Sequence, residues 1–336
     1  MSRRPTLQGL LLKTPLVLAA ALLLSLGAQA QEKVRFQTDW VASGEHAAYY
    51  GAWSKGIWAQ EGLDITITRG YGSGDTAAKV GAGAADFGVS DMGAVLTGRA
   101  RANLPVKTIA TVYTYSPHSL FVLKSSGITS FKGLEGKKIG ITPGNSHKLY
   151  FPKVAARSGT DASKIVWVNM DGGAMGTQLF TKNIDAAPFY SIHHYYQNKA
   201  AQKAGQEIVV LPFVKTGFAI YTASLIASDK MLQERPETVK KFLRGARRSF
   251  EWARDNQVEA CKMHVQRIPE VDLDDCLNSL KATLEFVFND YQQKNGFGAV
   301  TTERLAETWK VVADAQELDP KWNPAQAIDT RFLPVK

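Results

Sequence analysis

Cysteine is nearly absent from this chain: Cys261 and Cys276 are the only two in 336 residues. Neither lies near residue 30, so no thiol is available there for a lipid anchor. No stretch beyond residue 30 approaches the ~20 apolar residues that a membrane-spanning helix needs. No His/Cys cluster has metal-ligand spacing. His193 and His194 are adjacent, which points them in different directions on a helix or a strand, and they read as a polar pair in a loop or on a helix surface. No G-x-S-x-G or paired Ser/His/Asp motif offers nucleophilic catalysis. The 40 basic residues are scattered, without the aromatic-interleaved stripe that would argue for nucleic acid. Low-complexity tracts and a solenoid period are also missing.

The first thirty residues carry a strong pattern. Arg3, Arg4 and Lys13 form a basic lead, residues 14–26 are uncharged, and Ala28-Gln29-Ala30 precedes Gln31. That order is a secretory signal peptide, with cleavage expected after Ala30 and an exported mature chain. Three of the basic residues fall in the leader, which leaves 37 basic against 31 acidic residues and a net of +6 for residues 31–336. A field of that sign could help to draw in an anionic ligand. In an oxidising compartment Cys261 and Cys276 could pair as a clip between consecutive helices, with geometry deciding the matter.

Along the mature chain, short apolar strands alternate with helices. Residues 34–38 alternate like a strand, and 45–60 have helical spacing, with Ala47, Tyr50, Ala52, Trp53 and Ile57 available for a buried face. Further strands are expected at 63–67, 87–89 and 107–112. The rhythm restarts after Pro117, with strands at 119–124, 138–141, 165–170, 184–187, 207–211 and 218–227. From Pro236 onward the spacing is mostly helical, over 237–253, 258–265, 273–290 and 302–315. This βα alternation predicts an α/β protein whose sheets are mainly parallel and flanked by helices. Two such units predict a two-lobed molecule. Residues 31–117 with 222–336 would form one lobe and 118–221 the other, with the crossings near 116–120 and 217–222 as a hinge.

Ligands of open α/β sheets sit beyond the carboxyl ends of strands, where helix N-termini present free N–H groups. Four loops fit that description: 70–75, 90–93, 142–146 and 171–173. Their glycines allow close backbone approach and their hydroxyls both donate and accept. Trp40, at the end of the first strand, offers a face for stacking or for core packing. His46 and Tyr49, three apart, would share a helix face near that strand end.

These residues resemble a known family. Val34 to Gly70, VRFQTDWVASGEHAAYYGAWSKGIWAQEGLDITITRG, is similar to the opening of periplasmic binding proteins of the thiamine-pyrimidine-synthase-like family. Relatives of that family bind taurine, alkanesulfonates and nitrate for ABC importers. GAGAADFGVSDMGAV at 81–95, SGITSFKGLEGKKIGITPGNS at 126–146, NIDAAPFY at 183–190 and PETVKKFLRGARRSFEWA at 236–253 match its later signposts. The resemblance implies a hinged two-lobe fold of the type II periplasmic-binding class. It also implies a periplasmic monomer that holds a small molecule between its lobes and delivers it to a membrane permease. Carried over by position, the candidate ligand-binding residues are Trp40, His46, Tyr49, Ser73, Ser90, Asp91, Asn145, Ser146, Asp185 and Tyr190. The likeness is closest around Asp39-Trp40 and His46, which points to the pyrimidine-precursor branch, whereas the Ala-Pro-Phe-Tyr run after Ala186 is individual to this chain.

The family also contains a pyrimidine synthase that uses pyridoxal phosphate, a Schiff-base Lys and a sacrificial His. Those two residues follow the strand that matches 87–89. This chain has Ser90-Asp91-Met92-Gly93-Ala94 there, with neither Lys nor His, and lacks the enzyme's cysteine-rich loop. The expectation is therefore a binding protein without catalysis, cofactor or metal. A sensor subunit docked on a membrane receptor would share the fold. No Arg or Lys can be assigned to the cleft, which favours a weakly charged aromatic or heteroaromatic ligand over a sulfonate or aromatic carboxylate.

Overall fold

A computed structural model describes residues 31–218 and 220–334. The leader expected at 1–30 lies outside the described residues. Among the described residues, ten strands form two five-stranded sheets. The first has the order β2-β1-β3-β10-β4, from β1 (Glu32–Gln37), β2 (Leu63–Thr68), β3 (Phe87–Asp91), β4 (Val106–Thr111) and β10 (Ala223–Ser228). The second has the order β7-β6-β8-β5-β9, from β5 (His118–Leu123), β6 (Lys138–Ile141), β7 (Val166–Asn169), β8 (Ala186–Tyr190) and β9 (Ile208–Pro212). Only β10 and β5 run against their neighbours, so four strands of each sheet share one direction. Each reversed strand is the first one laid down after the chain crosses between sheets. The sheets are thus mixed, because a strand entering straight from a crossover has no helix to turn it parallel.

Burial explains the two sequence textures. The edge strand β2, LDITIT, turns Leu63, Ile65 and Ile67 inward and Asp64, Thr66 and Thr68 outward. The inner strand β3 is buried along its whole length, because helices cover both faces. The helix expected over 45–60 is broken: a 3-10 turn at Gly44–His46 leads into α1 (Ala47–Lys55), and Gly56 at φ +80° interrupts it. A residue with a Cβ is disfavoured in that left-handed conformation, so the glycine sets the break.

One core packs α1 and the long helix Pro236–Asp255 on the first sheet, with Phe87 and Phe242 stacked at 3.9 Å. A second core runs continuously from Val106 and Ile226 to Leu120, Val122 and Ile139. The last long helix, Thr302–Gln316, contributes Trp309 and Val312 to it. That helix also reaches the helix Ser146–Ser158 on the second sheet, where Lys153 meets Asp314 at 2.5 Å. Cys261 and Cys276 form a disulfide between helices Gln257–Arg267 and Leu273–Val287. Gly44 rests directly on the Cys276 backbone carbonyl, with no room for a Cβ. The bridged helices are therefore the floor on which the turn carrying Glu45 and His46 is seated.

Candidate ligand-binding site

The carboxyl ends of β1, β2 and β3 face those of β6, β7 and β8, and a narrow, partly open cavity lies where they meet. From the first sheet come Asp39, Trp40, Glu45, Gly72 and Ser73. From the second come Asn145, Ser146, His147, Pro188, Phe189, Tyr190 and His193. No Lys or Arg is among these residues.

The two sides touch at several points. Gly74 N–H donates to Gly144 C=O at 3.0 Å, joining the two glycine loops directly. Glu45 Oε2 and His193 Nε2 stand 2.6 Å apart, while Tyr113 OH donates to Glu45 Oε1 at 3.2 Å. Tyr150 OH donates to Asp91 Oδ1 at 2.5 Å, and the same oxygen accepts Gly93 N–H as the N-cap of the helix that follows β3. His118 bonds Ser146 Oγ at 2.8 Å through Nε2 and Ser116 Oγ at 3.0 Å through Nδ1.

Burial governs the protonation of this cluster. It raises the Asp39 carboxyl, against the hydrogen bond to His46 and together with the charge of Glu45. Burial also works on Glu45, but the hydrogen bond to His193 and the charges of His193 and His46 outweigh it and hold this carboxyl below its ordinary value. Asp91 is pushed up to about 7 by burial, despite the bonds from Tyr150 and Gly93. His147 is driven down to about 3 by burial, and burial also holds His118 well below its ordinary value. His147 is thus neutral with a single ring proton, its Nδ1 2.9 Å from Asn145 Oδ1 and its Nε2 3.1 Å from the Phe189 carbonyl oxygen and 3.4 Å from Ser119 N.

Asp39, Glu45 and His46 bring ligand atoms within 4.8 Å of one another. His46 Nδ1 accepts Ser43 N–H, so its proton sits on Nε2 and faces Asp39 Oδ1 at 3.5 Å. With Glu45 bonded through both oxygens, the trio reads as a charge-paired hydrogen-bond network rather than an open cation site. A second trio, Asp272, Asp274 and Asp275, is held by Lys199.

Five of the ten residues singled out from the sequence line the cavity: Trp40, Ser73, Asn145, Ser146 and Tyr190. Ser90 and Asp91 lie beneath it, fully buried, with Ser90 Oγ donating to the Ser73 carbonyl. His46 backs Asp39. Tyr49 belongs to the core, packed edge-on between Phe36 and Phe250 at 5.1 Å each. Asp185 does not reach the cavity. It precedes β8 at the amino end, where its carboxylate accepts Lys138 N–H, and the strand carries the chain about 16 Å before Tyr190 arrives. Glu45, His147, Phe189 and His193 were missed. The signals were the acidic neighbour of His46 and a histidine three residues after the end of β8. His193 is buried in the short turn there rather than exposed on a helix.

Two facing α/β sheets with a cavity at their opposed carboxyl ends define the periplasmic-binding-protein fold. The alkanesulfonate-binding protein SsuA from Xanthomonas axonopodis pv. citri, bound to MOPS, superposes with a TM-score of 0.69 at 14% identity, covering 88% of this chain and 98% of its own. The chain belongs to the NMT1/THI5-like family, whose model matches residues 43–260. Among curated relatives, the riboflavin-binding protein RibY of Chloroflexus aurantiacus is 25% identical over 310 residues, covering 90% of this chain and 86% of that protein. The 4-amino-5-hydroxymethyl-2-methylpyrimidine phosphate synthase THI11 of Saccharomyces cerevisiae is 24% identical over 289 residues, covering 80% and 82%.

Proposed function

We propose that this protein is the extracytoplasmic solute-binding component of an ABC importer, exported by cleavage after Ala30 and acting as a monomer that docks on a membrane permease. Its ligand is a small heteroaromatic molecule related to pyrimidine precursors, gripped between a lobe of residues 31–117 with 222–336 and a lobe of residues 118–221. The observation that carries this reading is the lining of the cavity. Trp40, Phe189 and Tyr190 bring aromatic rings to it, Asp39 and Glu45 bring buried carboxylates, and no Lys or Arg lines it. Ring stacking and donated N–H groups suit such walls. A sulfonate would enter beside carboxylates with no Arg or Lys to pair it, a large desolvation cost.

The relatives named as pyrimidine phosphate synthases motivate a second, enzymatic reading. Against it stands the stretch Ser90-Asp91-Met92-Gly93-Ala94, which has neither Lys nor His where the family resemblance puts a Schiff-base Lys and a sacrificial His. Ser90 is fully buried and spends its hydroxyl on the Ser73 carbonyl. A thermal-shift screen of residues 31–336 decides between these readings. The panel contains 4-amino-5-hydroxymethyl-2-methylpyrimidine, riboflavin, taurine and MOPS, with product analysis after incubation with pyridoxal phosphate. A heteroaromatic should raise Tm by mass action and remain chemically unchanged. Stabilisation by the sulfonates alone, or formation of a pyrimidine phosphate, would refute the proposal. Trp40→Ala should abolish the shift while leaving the unliganded protein folded.

A further inference from the structure

The chain passes between the two sheets twice, from β4 to β5 through residues 112–117 and from β9 to β10 through residues 213–222. The two crossings are bonded to each other. Thr222 N–H donates to the Tyr113 carbonyl at 3.1 Å, and Thr222 Oγ1 donates to the Tyr115 carbonyl at 3.2 Å. Arg304, in the first turn of the helix Thr302–Gln316, reaches both crossings. Its Nη2 donates to the Thr114 carbonyl. Its guanidinium lies 4.5 Å from the Tyr115 ring centre, 5.5 Å from that of Tyr221 and 5.4 Å from that of Tyr291. Among the described residues no carboxylate pairs with it, so three ring faces and a backbone carbonyl surround its charge. The cage is itself braced: Tyr221 and Tyr291 share a hydroxyl–hydroxyl bond, and both accept Thr301 N–H, at 2.9 and 3.2 Å. A flat, weakly hydrated guanidinium suits such a cage better than an ammonium would.

We infer that Arg304 is a positioning residue for the ligand cavity, a pin that fastens both crossings to the last long helix and restrains the parting of the lobes. It does not line the cavity, and it acts through the first crossing. The residues on either side of Thr114 carry the effect to opposite sheets. Tyr113 OH donates to Glu45 Oε1 at 3.2 Å, while Ser116 Oγ lies 3.0 Å from His118 Nδ1, whose Nε2 meets Ser146 Oγ at 2.8 Å. Glu45 faces the cavity from the first sheet and Ser146 from the second. No other segment joins a strand of one sheet to a strand of the other, so opening must turn the backbone within these two crossings. A rigid guanidinium cannot follow both as they twist: opening withdraws the Thr114 carbonyl or the Tyr221 face from it. The inference rests on the two-lobe reading above and does not depend on which molecule is bound.

Spin labels on Val166→Cys and Val258→Cys test it, one in each lobe and both at exposed positions, while Cys261 and Cys276 stay bridged and fully buried. Distance distributions are recorded on residues 31–336 without ligand. Arg304→Met keeps the stem, removes the charge and should raise the ratio of open to closed molecules about tenfold, the scale of one charge-assisted hydrogen bond. Tyr115→Leu, at a ring 40% exposed, should shift the ratio the same way by less, and it decides the matter if Arg304→Met does not fold. Trp309→Leu controls for a general loss of stability. It weakens the same helix, where the indole packs on Trp322 at 4.8 Å, and should leave the ratio unchanged. An unchanged ratio in the deciding variant, or an equal rise in Trp309→Leu, would overturn the pin and leave the two-lobe reading standing. A single distance shared by every variant and the wild type would overturn the two-lobe reading itself, and the pin with it.

Discussion

The carboxylate of Glu45 and the imidazole of His193 lie 148 residues apart in sequence and 2.6 Å apart in space, each no more than 5% exposed. Glu45 stands in the turn after β1 and His193 in the turn after β8, so this one bond ties the first sheet to the second.

Removing either partner should loosen that tie. A double-mutant cycle with Glu45→Gln and His193→Ala is expected to give a coupling of about 1 kcal/mol or more, because each single variant strands a buried polar group. Glu45 is held below its ordinary value of 4.5, so its contribution is complete above that pH and disappears as pH falls through the lower folded value. Urea unfolding between pH 3 and 6 should show the wild type losing stability toward acid faster than Glu45→Gln. Parallel curves would refute the assignment.

Asp91 behaves in the opposite sense. Its carboxyl is raised from 3.8 to about 7, so the folded chain binds an extra proton between those values and stability falls as pH rises through that window. Asp91→Asn keeps an acceptor for Gly93 N–H and Tyr150 OH while removing the titration. It should therefore flatten the decline between pH 4 and 7, by a few kcal/mol at most. The check is the difference in urea midpoint at pH 5 and pH 8 for the two proteins. Equal differences would mean that Asp91 is charged throughout.

The Cys261–Cys276 bridge closes a loop of 15 residues, for which chain entropy gives roughly 3 kcal/mol. Cys261→Ala with Cys276→Ala should lower stability by that order in urea unfolding. Gly44 rests on the Cys276 carbonyl, and the turn it seats carries Glu45, so ligand affinity should fall as well. A stability loss with ligand affinity intact would show that the turn keeps its place without the bridge.

Much of the architecture was legible because strand and helix spacing are local properties: β2 alternates as written, and the Pro236–Asp255 helix shows its stripe in the sequence. Loop chemistry was legible for the same reason, since Ser73, Asn145 and Ser146 announce helix starts at strand ends. What could not be read was direction in space. Asp185 and Tyr190 flank one strand, and only the sheet tells which end meets the cavity. Tyr49 has helical spacing from His46, yet its ring packs into the core between Phe36 and Phe250 while His46 turns to Asp39. His193 needed Glu45, and no local pattern links residues 148 apart.

Gly144 offers a test of the contact between the two glycine loops. Its φ is +76°, and its carbonyl accepts Gly74 N–H at 3.0 Å. A Cβ at Gly144 would lie 3.1 Å from Asp75 N, while one at Gly74 would lie 3.2 Å from Gly144 Cα. Gly144→Ala therefore carries two penalties, a left-handed backbone costing roughly 1–2 kcal/mol and a crowded seam between the sheets. The backbone penalty acts in every folded state, but the crowding acts only where the loops meet. If the sheets part in the absence of ligand, the crowding disfavours the closed form alone, and apparent affinity falls in proportion to the closed fraction. Gly74→Ala has no left-handed penalty and isolates the seam: its affinity should drop several-fold while its unliganded urea midpoint stays near wild type. Small-angle scattering should then show a larger unliganded radius of gyration for Gly74→Ala. An unchanged radius with unchanged affinity would mean that the seam yields to a methyl group and does not govern closure.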